Sequence, residues 1–490
     1  MKKIYVGLDI GTTAIKIAAV DRNLNLSYEK QYHYDYLTPY KGWTEINPDI
    51  WVEIVLKGLK ELLQHIPVNT IAGIGVTGQM HTTVFVDKHG FSVRPAIMWN
   101  DNRTKELIPE IKQILLTEEK TAHIAKIVST GSPLANLLWL KEFEPKNYEK
   151  MKKFLIAKDY VILKLTQTYS TDYCDASVSS LYDLNEDTWS ESVKQLFGLE
   201  STLFPVINHS SKIAGELSKL VQVELGINEN IPVVAGTGDN VASALASGSF
   251  IHDQPLISLG TSGVVVIPNR FHKLKEVGKN VVAKIREDDN TIITQGTIQA
   301  GAKVNSWWLE NIICTTDFSK AQTKISSSLL GNNDVLFFPH LNGEKTLFAN
   351  PNLRGAFVGL GLETTQEEMY LAVLEGLAFG IRNLYEKMKN EENPKYFTIV
   401  GGGAKSVLWI QLFANILNYP IKRIFDAREA VHGAASLAII GIEENFDFPE
   451  RNFQIIEPDK KCVSEYEKKY VRYLELTETM LTYTKAVKNK

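Results

Sequence analysis

The sequence predicts an α/β protein of two similar domains, each with a mixed central sheet and helices on its faces. Three observations favour this fold: the length of the chain, a strand–turn–strand pattern that occurs twice, and two glycine turns that each stand between a strand and a helix. At 490 residues the chain is too long for one ordinary domain. Its hydrophobic fraction of 44% and charged fraction of 22% are typical of a soluble globular enzyme.

Charge and cysteine content exclude several classes of protein. A formal net charge of -4 gives no reason to expect nucleic acid or an anionic membrane as a partner. Cys174, Cys314 and Cys462 are scattered, which argues against a disulfide framework or a zinc site and favours a reducing, cytoplasmic location. The first apolar run is interrupted by Asp9, so it makes a poor signal peptide. The sequence contains no P-loop string and no apolar stretch long enough for a membrane span.

The chain opens with a predicted β-hairpin over residues 5–21. Apolar runs flank Gly11, Thr12 and Thr13, which predicts two strands joined by a tight turn. The N–H groups and hydroxyls of such a turn suit phosphate oxygens. Asp9 lies just before the turn and could hold Mg²⁺, a hard cation that prefers oxygen ligands. An ordinary hairpin is the alternative, because a short Gly-Thr-Thr string is weak support by itself.

The same pattern recurs at residues 256–267, where apolar runs flank Gly260, Thr261 and Ser262. The two copies lie about half a chain apart, and an internal duplication explains them economically. We therefore expect two domains, residues 1–246 and 247–490, that face each other across a cleft and each contribute a phosphate-binding hairpin. Chance recurrence of the string is less favoured because flanking strands accompany both copies.

Polar residues follow the predicted strand that begins near Ile71. Gln79, Met80 and His81 come directly after it, and residues 95–103 follow beyond a turn. Gln, His, Asn and Asp at strand ends could hydrogen-bond the hydroxyls of a sugar, and Met80 and Trp99 offer apolar faces. A satisfied buried histidine and simple core packing are the alternatives for His81 and Trp99.

Residues 231–248 predict a strand, a glycine turn and a helix, with Asp239 at the helix entrance. A carboxylate held there could accept a proton from a substrate hydroxyl. The alternative is that Asp239 only caps the helix, for which Asp is a favoured residue.

The second half of the chain contains a similar pattern of strand, glycine turn and helix. Residues 397–406 predict a strand, the turn Gly401–Gly403 and a helix, which would let a nucleotide lie against the backbone; a tight connection is the alternative. A glycine-led helix follows Gly301, and residues 372–382 and 433–441 have the small residues of closely packed helices. From about Asp459 we expect a charged surface helix without a functional role, packing back on the domain.

Together these segments resemble the FGGY carbohydrate kinases, members of the hexokinase/actin ATPase superfamily, in the same order over nearly the whole chain. The resemblance implies two actin-like, ribonuclease H-like domains that flank a catalytic cleft. The matching segments are the first phosphate motif at residues 9–13, the catalytic motif at 236–240, the second phosphate motif at 258–263 and the adenosine motif at 401–404. Within the family, xylulokinases are most similar at residues 78–81, 99–101, 158–160, 258–263 and 341–346.

The resemblance implies a role for each matched residue, with ATP and a small sugar, first D-xylulose, as the substrates. Asp239 is implied as the base that accepts the hydroxyl proton, and Asp9 as the residue that positions Mg²⁺ through water. The implied phosphate ligands are Gly11, Thr12, Thr13, Gly260 and Thr261. The implied nucleotide pocket contains Gly301, Asn305, Gly402 and Gly403. The implied sugar contacts are Gln79, Met80, His81, Asp239 and Asn240.

Two departures keep other sugars open. Residues 130–136 are shorter than the matching xylulokinase segment and resemble a Ser-Pro-Leu-Ala stretch of gluconokinases, and Leu347 stands where xylulokinases usually have proline. D-gluconate or another ketose or polyol is therefore the alternative substrate. A non-catalytic, ATP-binding actin-like protein is the alternative of another class, and Asp239 argues against it because a binding module needs no base there. The oligomeric state is not fixed, and a homodimer stays open.

Overall fold

The structure, a computed structural model, describes residues 2–248, 253–260, 262–269, 277–299, 301–344, 346–389, 393–425, 428–443, 445–449 and 452–488. The chain divides into two compact units. The first unit comprises Met1–Gly248, Val281–Ile292 and Arg428–Pro449, and the second comprises Ser249–Asn280, Ile293–Ala427 and Glu450–Lys490. Two segments from the second half of the chain thus return to the first unit.

The chain up to Gly248 forms fifteen strands and ten α-helices. The strands are β1 (Ile4–Ile10), β2 (Ala14–Asp21), β3 (Leu26–His33), β4 (Glu45–Ile46), β5 (Ile71–Gly78), β6 (Thr83–Val86), β7 (Ala96–Ile97), β8 (Lys153–Ile156), β9 (Ser170–Asp172), β10 (Tyr182–Asp183), β11 (Thr188–Trp189), β12 (Val206–Asn208), β13 (Ile213–Glu216), β14 (Pro232–Val234) and β15 (Thr237–Gly238). The helices are α1 (Asp49–Leu63), α2 (Ile108–Leu115), α3 (Ala122–Ile127), α4 (Pro133–Phe143), α5 (Pro145–Lys150), α6 (Ala157–Thr166), α7 (Tyr173–Val178), α8 (Glu191–Phe197), α9 (Lys219–Leu225) and α10 (Asp239–Ser247).

The chain after Gly248 forms nine strands and six α-helices among its described residues. The strands are β16 (Leu256–Leu259), β17 (Gly263–Asn269), β18 (Lys279–Val282), β19 (Ile292–Ile298), β20 (Leu336–Phe338), β21 (Ala356–Val358), β22 (Phe397–Val400), β23 (Ile421–Ile424) and β24 (Phe453–Ile456). The helices are α11 (Lys303–Trp308), α12 (Phe318–Gln322), α13 (Gln366–Met388), α14 (Val407–Leu417), α15 (Ala430–Ile442) and α16 (Lys460–Lys488).

The main sheet of the first unit has the order β13-β14-β5-β1-β2-β3, and β15 also pairs with β5. Strands β1, β2 and β3 are antiparallel neighbours, whereas β5 runs parallel to β1, and β14 and β15 run parallel to β5. The predicted first hairpin is confirmed, with Ile10 paired to Ile15 across its turn. Because β1 and β5 are covered on both faces, their sequences are nearly continuous apolar runs interrupted only by small or functional residues.

The main sheet of the second unit has the order β18-β19-β17-β16-β22-β23-β24. Its central strands repeat the pattern of the first unit: β16 is antiparallel to β17 and parallel to β22, and β22 is parallel to β23. The predicted mixed sheets are therefore confirmed in both halves. The large core of this unit packs α13 and α14 against the sheet and includes the fully buried Trp308 and Trp409.

Helix α15 returns from late in the chain and packs inside the first unit. A Cβ at Gly7 of β1 would lie 2.0 Å from the carbonyl oxygen of Val431, and one at Gly75 of β5 would lie 1.8 Å from that of Ala434. On the other side of the helix, a Cβ at Gly433 would lie 2.0 Å from the carbonyl oxygen of Ala242 in α10. Glycine is needed at these positions because backbone meets backbone there.

The C-terminal helix α16 packs back as predicted, but it is not only a surface helix. Tyr466 and Tyr473 are fully buried on it, and Lys469 forms a buried ion pair of 2.6 Å with Glu375 of α13. A buried charge needs such a partner. Within the described residues, none of the helices is both long and apolar enough to cross a membrane.

Candidate active site

Three parallel strands of the first unit end side by side and carry the candidate catalytic groups. Register places Asp9 of β1 opposite Thr77 of β5, and Thr77 opposite Thr237 of β15. The Thr77 hydroxyl donates a hydrogen bond of 2.7 Å to the Thr237 carbonyl oxygen, which locks this row together. Ligands of α/β proteins bind beyond the carboxyl ends of parallel strands, where Asp9 and Asp239 stand.

Asp239 is the first residue of α10, and Gly238 before it is the N-cap, without a side-chain capping bond. The N-cap position therefore belongs to Gly238, although the Asp239 carboxylate still interacts with N–H groups at the start of the helix. Burial raises the pKa of Asp239 to about 6, while the N–H groups of Asn240 and Asp239 itself oppose that rise. Such a carboxylate is ionised at neutral pH and poised to accept a proton.

Asp9 lies half-buried at the end of β1, and its Oδ1 is a buried atom with no hydrogen-bond partner among the described residues. Burial raises the pKa of Asp9 to about 7; the nearby Asp239 adds to the rise, Lys16 opposes it and Glu429 raises it further. Lys16 is the partner of Asp9 across the hairpin and forms an ion pair with Glu429 at the start of α15. An acid that is desolvated, unpartnered and repelled by a second acid is suited to a cation.

The turn after β1 is held in place by hydrogen bonds from several directions. The N–H of Gly11 donates to the Ala14 carbonyl oxygen at 3.1 Å, and the Tyr34 hydroxyl donates to the Gly11 carbonyl oxygen. The Thr12 hydroxyl accepts a bond of 3.0 Å from the indole nitrogen of Trp99, and Thr13 is exposed. The turn is thus fixed before any ligand arrives.

Gln79, predicted to contact sugar, is 2% exposed and helps to hold the turn after β1 in place. Its N–H donates to the Ile10 carbonyl oxygen at 2.9 Å, and its side-chain oxygen accepts from the Thr82 hydroxyl at 3.0 Å. The Gln79 side chain therefore holds its loop against the turn.

Met80 and Asn240 lie near each other, and Asn240 directly follows Asp239 in the chain. The Asn240 amide donates to the Met80 sulfur at 3.7 Å, and a Cβ at Gly238 would lie 2.6 Å from the Met80 side chain. His81 has a φ of 70°, a strained backbone conformation for a residue with a side chain. Strain of this kind clusters at functional sites, where the surrounding structure enforces it.

Asp101, a hydroxyl-binding candidate from its sequence position, has a structural role instead. It is 1% exposed and accepts hydrogen bonds from the Thr44 N–H at 2.6 Å, the Arg103 N–H at 2.8 Å and two nitrogens of the Arg103 guanidinium. With these donors its oxygens are occupied. Arg103 stands only two residues after Asp101, but the sequence did not show that its side chain turns back to the acid.

Behind the Gly236–Asp239 turn lies a buried charge cluster that sequence reasoning missed. Lys158 is completely buried and lies 2.5 Å from Asp159, 3.0 Å from Asp172 and 3.2 Å from Asp175. Its stem would be 3.5 Å from a Cβ at Gly236, so it packs directly against the turn. Burial raises the pKa of Asp175 despite the lysine, since three acids share one base. The only sequence signal was a lysine and an acid inside an apolar helix.

The corresponding turn of the second unit follows β16. The N–H of Gly260 donates to the Ser262 carbonyl oxygen at 3.1 Å, and the Gly260 carbonyl oxygen accepts from the N–H of Ala302 at 2.9 Å. A Cβ at Gly301 would lie 2.0 Å from the N atom of Gly263, so Gly301 packs tightly against this turn. Thr261, the predicted phosphate ligand here, lies outside the described residues.

The remaining predicted nucleotide residues lie in the second unit, and none of them lines the cavity beside Gln322. Gly402 is exposed with no atom within 4 Å of its Cβ position, and Gly403 is buried against Leu259. Asn305 accepts a bond of 2.7 Å from the Tyr370 hydroxyl, which in turn accepts from Gln322 at 3.3 Å. A cavity of about 330 Å³ adjoins this network; its lining is Phe318, Ser319, Gln322, Thr323, Ile325, Ser327, Leu330, Lys405, Ser406, Val407 and Leu408.

Comparison with known proteins gives consistent matches. Residues 4–246 match the N-terminal domain and residues 256–442 the C-terminal domain of the FGGY family of carbohydrate kinases. A xylulose kinase from Staphylococcus xylosus is 33% identical over 89% of this chain and 90% of that protein, and one from Staphylococcus epidermidis is 31% identical over 99% and 100%. The crystal structure of a xyloylose kinase from Brucella ovis superposes with a TM-score of 0.89 at 29% identity, covering 98% of this chain and 100% of that one.

Proposed function

The chain belongs to the FGGY family of carbohydrate kinases, and from that premise we propose that it transfers the γ-phosphoryl group of MgATP to a hydroxyl of D-xylulose. A sugar kinase that uses ATP follows from the family itself. D-xylulose is proposed because the relatives named above are xylulose kinases that align over most of the chain. The product is D-xylulose 5-phosphate.

The observation that carries the proposal is the half-buried carboxylate of Asp239 at the start of α10, next to Asn240. Phosphoryl transfer passes through a loose transition state and needs alignment more than covalent help. Asp239, with its pKa near 6, would accept the proton of the attacking hydroxyl as the new phosphate bond forms. A pure ATP-binding module has no use for such a base.

Asp9 could supply one carboxylate to Mg²⁺, and since no group of three or more His, Cys, Asp or Glu in the described part of the chain could hold a metal, water and substrate phosphates would supply the other ligands. The buried Oδ1 of Asp9 lacks a hydrogen-bond partner in the described part of the chain, and its raised pKa shows that the ionised form needs a positive neighbour. Mg²⁺ is often held by one or two carboxylates plus water and substrate phosphates, and when bound it neutralises charge on those phosphates. Asp9 would hold it through water, and the Lys16–Glu429 ion pair would keep Asp9 oriented.

Each unit offers a set of ligand-binding residues. In the first unit, Gly11, Thr12 and Thr13 would bind phosphate oxygens, and Met80, His81 and Asn240 would contact the sugar. In the second unit, Gly260 and Thr261 would bind phosphate. The cavity beside Lys405, together with Gly301, Asn305, Gly402 and Gly403, would accept the nucleoside. Hydroxyls suit phosphate because they donate without adding charge, whereas the N–H groups of Gly11 and Gly260 already donate to the Ala14 and Ser262 carbonyl oxygens.

The alternative substrate, D-gluconate, loses part of its support in the structure. The gluconokinase-like residues Ser132, Pro133, Leu134 and Ala135 are all buried at the start of α4. Because these residues are buried, they serve packing at the start of α4, and D-gluconate stays the alternative substrate. The presence of leucine and not proline at position 347 has a local explanation. The N–H of Leu347 donates a hydrogen bond of 3.2 Å to Glu344, and proline has no N–H to donate.

The deciding experiment is an ADP-release assay with D-xylulose, D-ribulose, glycerol and D-gluconate, each at several concentrations, with a sugar-free reaction as background. We expect the highest kcat/KM for D-xylulose. A higher value for D-gluconate or glycerol would replace the substrate and keep the reaction. ADP release that no sugar stimulates, from protein that still binds ATP, would remove the kinase assignment. Asp239→Asn is the matched control, since it keeps the shape of the side chain and removes the base.

A further inference from the structure

We propose that Trp99 is a positioning residue that sets the direction of the Thr12 hydroxyl proton, so that this hydroxyl donates to a phosphoryl oxygen of the nucleotide. The inference rests on the proposed function, in which Thr12 binds phosphate. It starts from one contact in the first unit: the indole nitrogen of Trp99 lies 3.0 Å from the Thr12 oxygen.

The chemistry of the two groups makes this contact directional. An indole N–H can only donate, whereas a hydroxyl has one proton to donate and two lone pairs that accept. Because Thr12 accepts from Trp99, its own proton must point elsewhere. The hydroxyl makes no other hydrogen bond within the described part of the chain, so the proton is left for a ligand. An ionised phosphate offers only acceptors and matches that proton.

Trp99 is itself held firmly enough to act as an anchor. Its backbone N–H donates to the Thr82 hydroxyl at 3.1 Å, and that hydroxyl donates to the Gln79 side chain at 3.0 Å. Gln79 in turn contacts the turn, through its N–H to Ile10 at 2.9 Å and its amide to the Gly11 carbonyl oxygen at 3.5 Å. The hydrogen bonds therefore form a closed ring that begins and ends at the phosphate turn.

The position of Trp99 explains why a ring, and not a single bond, is needed. The residue is 47% exposed, so packing alone does not fix its side chain. A Cβ at Gly131 would lie 2.3 Å from the Trp99 carbonyl oxygen, so the backbone of residues 130–131 presses on it from one side and Thr82 holds it from the other. A donor fixed in this way needs no reorganisation when phosphate arrives, which is the source of its catalytic value.

The kinetic test uses Trp99→Phe, which keeps an aromatic ring and removes the N–H. We expect kcat to fall about tenfold, the size of one well-placed hydrogen bond, with KM for D-xylulose changed less than about twofold. Trp189→Phe is the matched control: it also loses an indole hydrogen bond, of 2.8 Å to the Pro205 carbonyl oxygen, and its kcat should stay within about twofold of wild type.

Trp99→Phe should add nothing to Thr12→Val, whereas Thr12→Ser should keep its sensitivity to Trp99→Phe. Independent, multiplying effects of Trp99→Phe and Thr12→Val would overturn the proposal, and so would a change confined to the sugar KM.

A spectroscopic test judges the contact without any turnover. In protein labelled with ¹⁵N-tryptophan, the Trp99 indole resonance is the one missing in Trp99→Phe. We expect it to shift in Thr12→Val and to stay in place in Thr12→Ser, with neither sugar nor nucleotide present. An unmoved resonance in Thr12→Val contradicts the inference even if the enzyme phosphorylates D-xylulose. Absence of sugar-dependent turnover in wild type, with the resonance shifting as expected, counts instead against the proposed function.

Discussion

The turns after β1 and β16 share a backbone design and differ in their chemistry. Each turn joins the antiparallel pair at the middle of its sheet, and each has a glycine at the end of the neighbouring parallel strand. A Cβ at Gly78 would lie 2.9 Å from the Ile10 carbonyl oxygen, and one at Gly401 would lie 2.7 Å from that of Leu259. Ile10 and Leu259 are the residues just before the two turns, so the same close approach occurs twice.

The side chains next to these turns are not repeated. The first strand carries Asp9 opposite Lys16, whereas the second carries Ser258 opposite Val264. The second turn is also shorter: Leu259 pairs with Gly263, which leaves three residues between them, against four between Ile10 and Ile15. The two units therefore share the backbone arrangement of this turn, whereas the acid is present at this position in the first unit only. We infer that proton and cation chemistry belongs to the first unit.

The largest expected effect is the loss of kcat on removal of Asp239, the proposed base of the first unit. Asp239→Ala should lower kcat by about 10²–10⁴-fold, the range of general base catalysis, because no other described acid occupies the start of α10. ATP affinity, measured by calorimetry, should remain within about threefold of wild type. Wild-type turnover in this variant would end the assignment of Asp239.

Exchanging residues between the two strands tests the asymmetry itself. Asp9→Ser gives the first strand the residue of the second and should lower kcat about 100-fold, with a weaker dependence on Mg²⁺. Ser258→Asp is the reciprocal control and should bring no new Mg²⁺ dependence. Equal losses from both exchanges would show that the two turns contribute alike.

Asp9→Ser should also change stability in a pH-dependent way. The folded-state pKa of Asp9 is raised to about 7, so ionisation of this group opposes folding as pH rises above its unfolded value near 4. Without bound cation, the variant should therefore melt higher than wild type at pH 8, and the two melting temperatures should converge at pH 4.

Sugar recognition is expected to depend on the first unit alone. His81→Ala should raise KM for the sugar about tenfold and KM for ATP less than about twofold, because His81 follows Met80, whose sulfur contacts Asn240 in the proposed sugar site. His89→Ala, on an exposed turn, is the matched control and should change neither constant. Equal increases in both constants for His81→Ala would move His81 out of the sugar site.

The fall of kcat/KM at low pH should also depend on a residue of the first unit, Asp239. Since the pKa of Asp239 is raised to about 6, its ionised fraction falls as pH drops through that value, and kcat/KM should be about tenfold lower at pH 5 than at its plateau. The measurement is kcat/KM for D-xylulose from pH 5 to 8 at saturating ATP. A flat profile down to pH 5 would contradict the assignment of Asp239 as the base.

The smallest effect concerns the second unit. Gly402→Ala places a methyl group where no atom of the described structure lies within 4 Å, so the free energy of unfolding should change by less than about 0.5 kcal/mol. A nucleotide lying against this backbone would meet the methyl group, and KM for ATP should rise a few-fold. Unchanged KM for ATP would place the nucleotide elsewhere.

The main elements of both units could be predicted because their signals are local. Two apolar runs and a turn predict the hairpin around Gly11, and the glycine turn before Asp239 predicts the start of α10. The Gly-Thr turns between apolar runs at Gly11 and Gly260 led to the inference of an internal duplication. Hydrophobic period and turn residues are sufficient where an element is specified by its own sequence.

The features that escaped prediction depend on residues far apart in the chain. Lys158 meets Asp172 and Asp175 only after α6 and α7 are folded together, and Asp101 is claimed by Thr44, which lies 57 residues earlier. The buried face of α16 depends on Glu375 of α13. In each case the sequence shows a polar residue but not the distant partner that decides its role.

The return of α15 to the first unit has a consequence for biosynthesis. The sheet that carries Asp9 is complete only when a helix from residues 430–442 has docked onto Gly7 and Gly75. An emerging chain must therefore wait for nearly all of its length to leave the ribosome before its N-terminal half can close. Until then the apolar strands β1 and β5 have an uncovered face, and transiently exposed apolar surface of this kind is prone to aggregation.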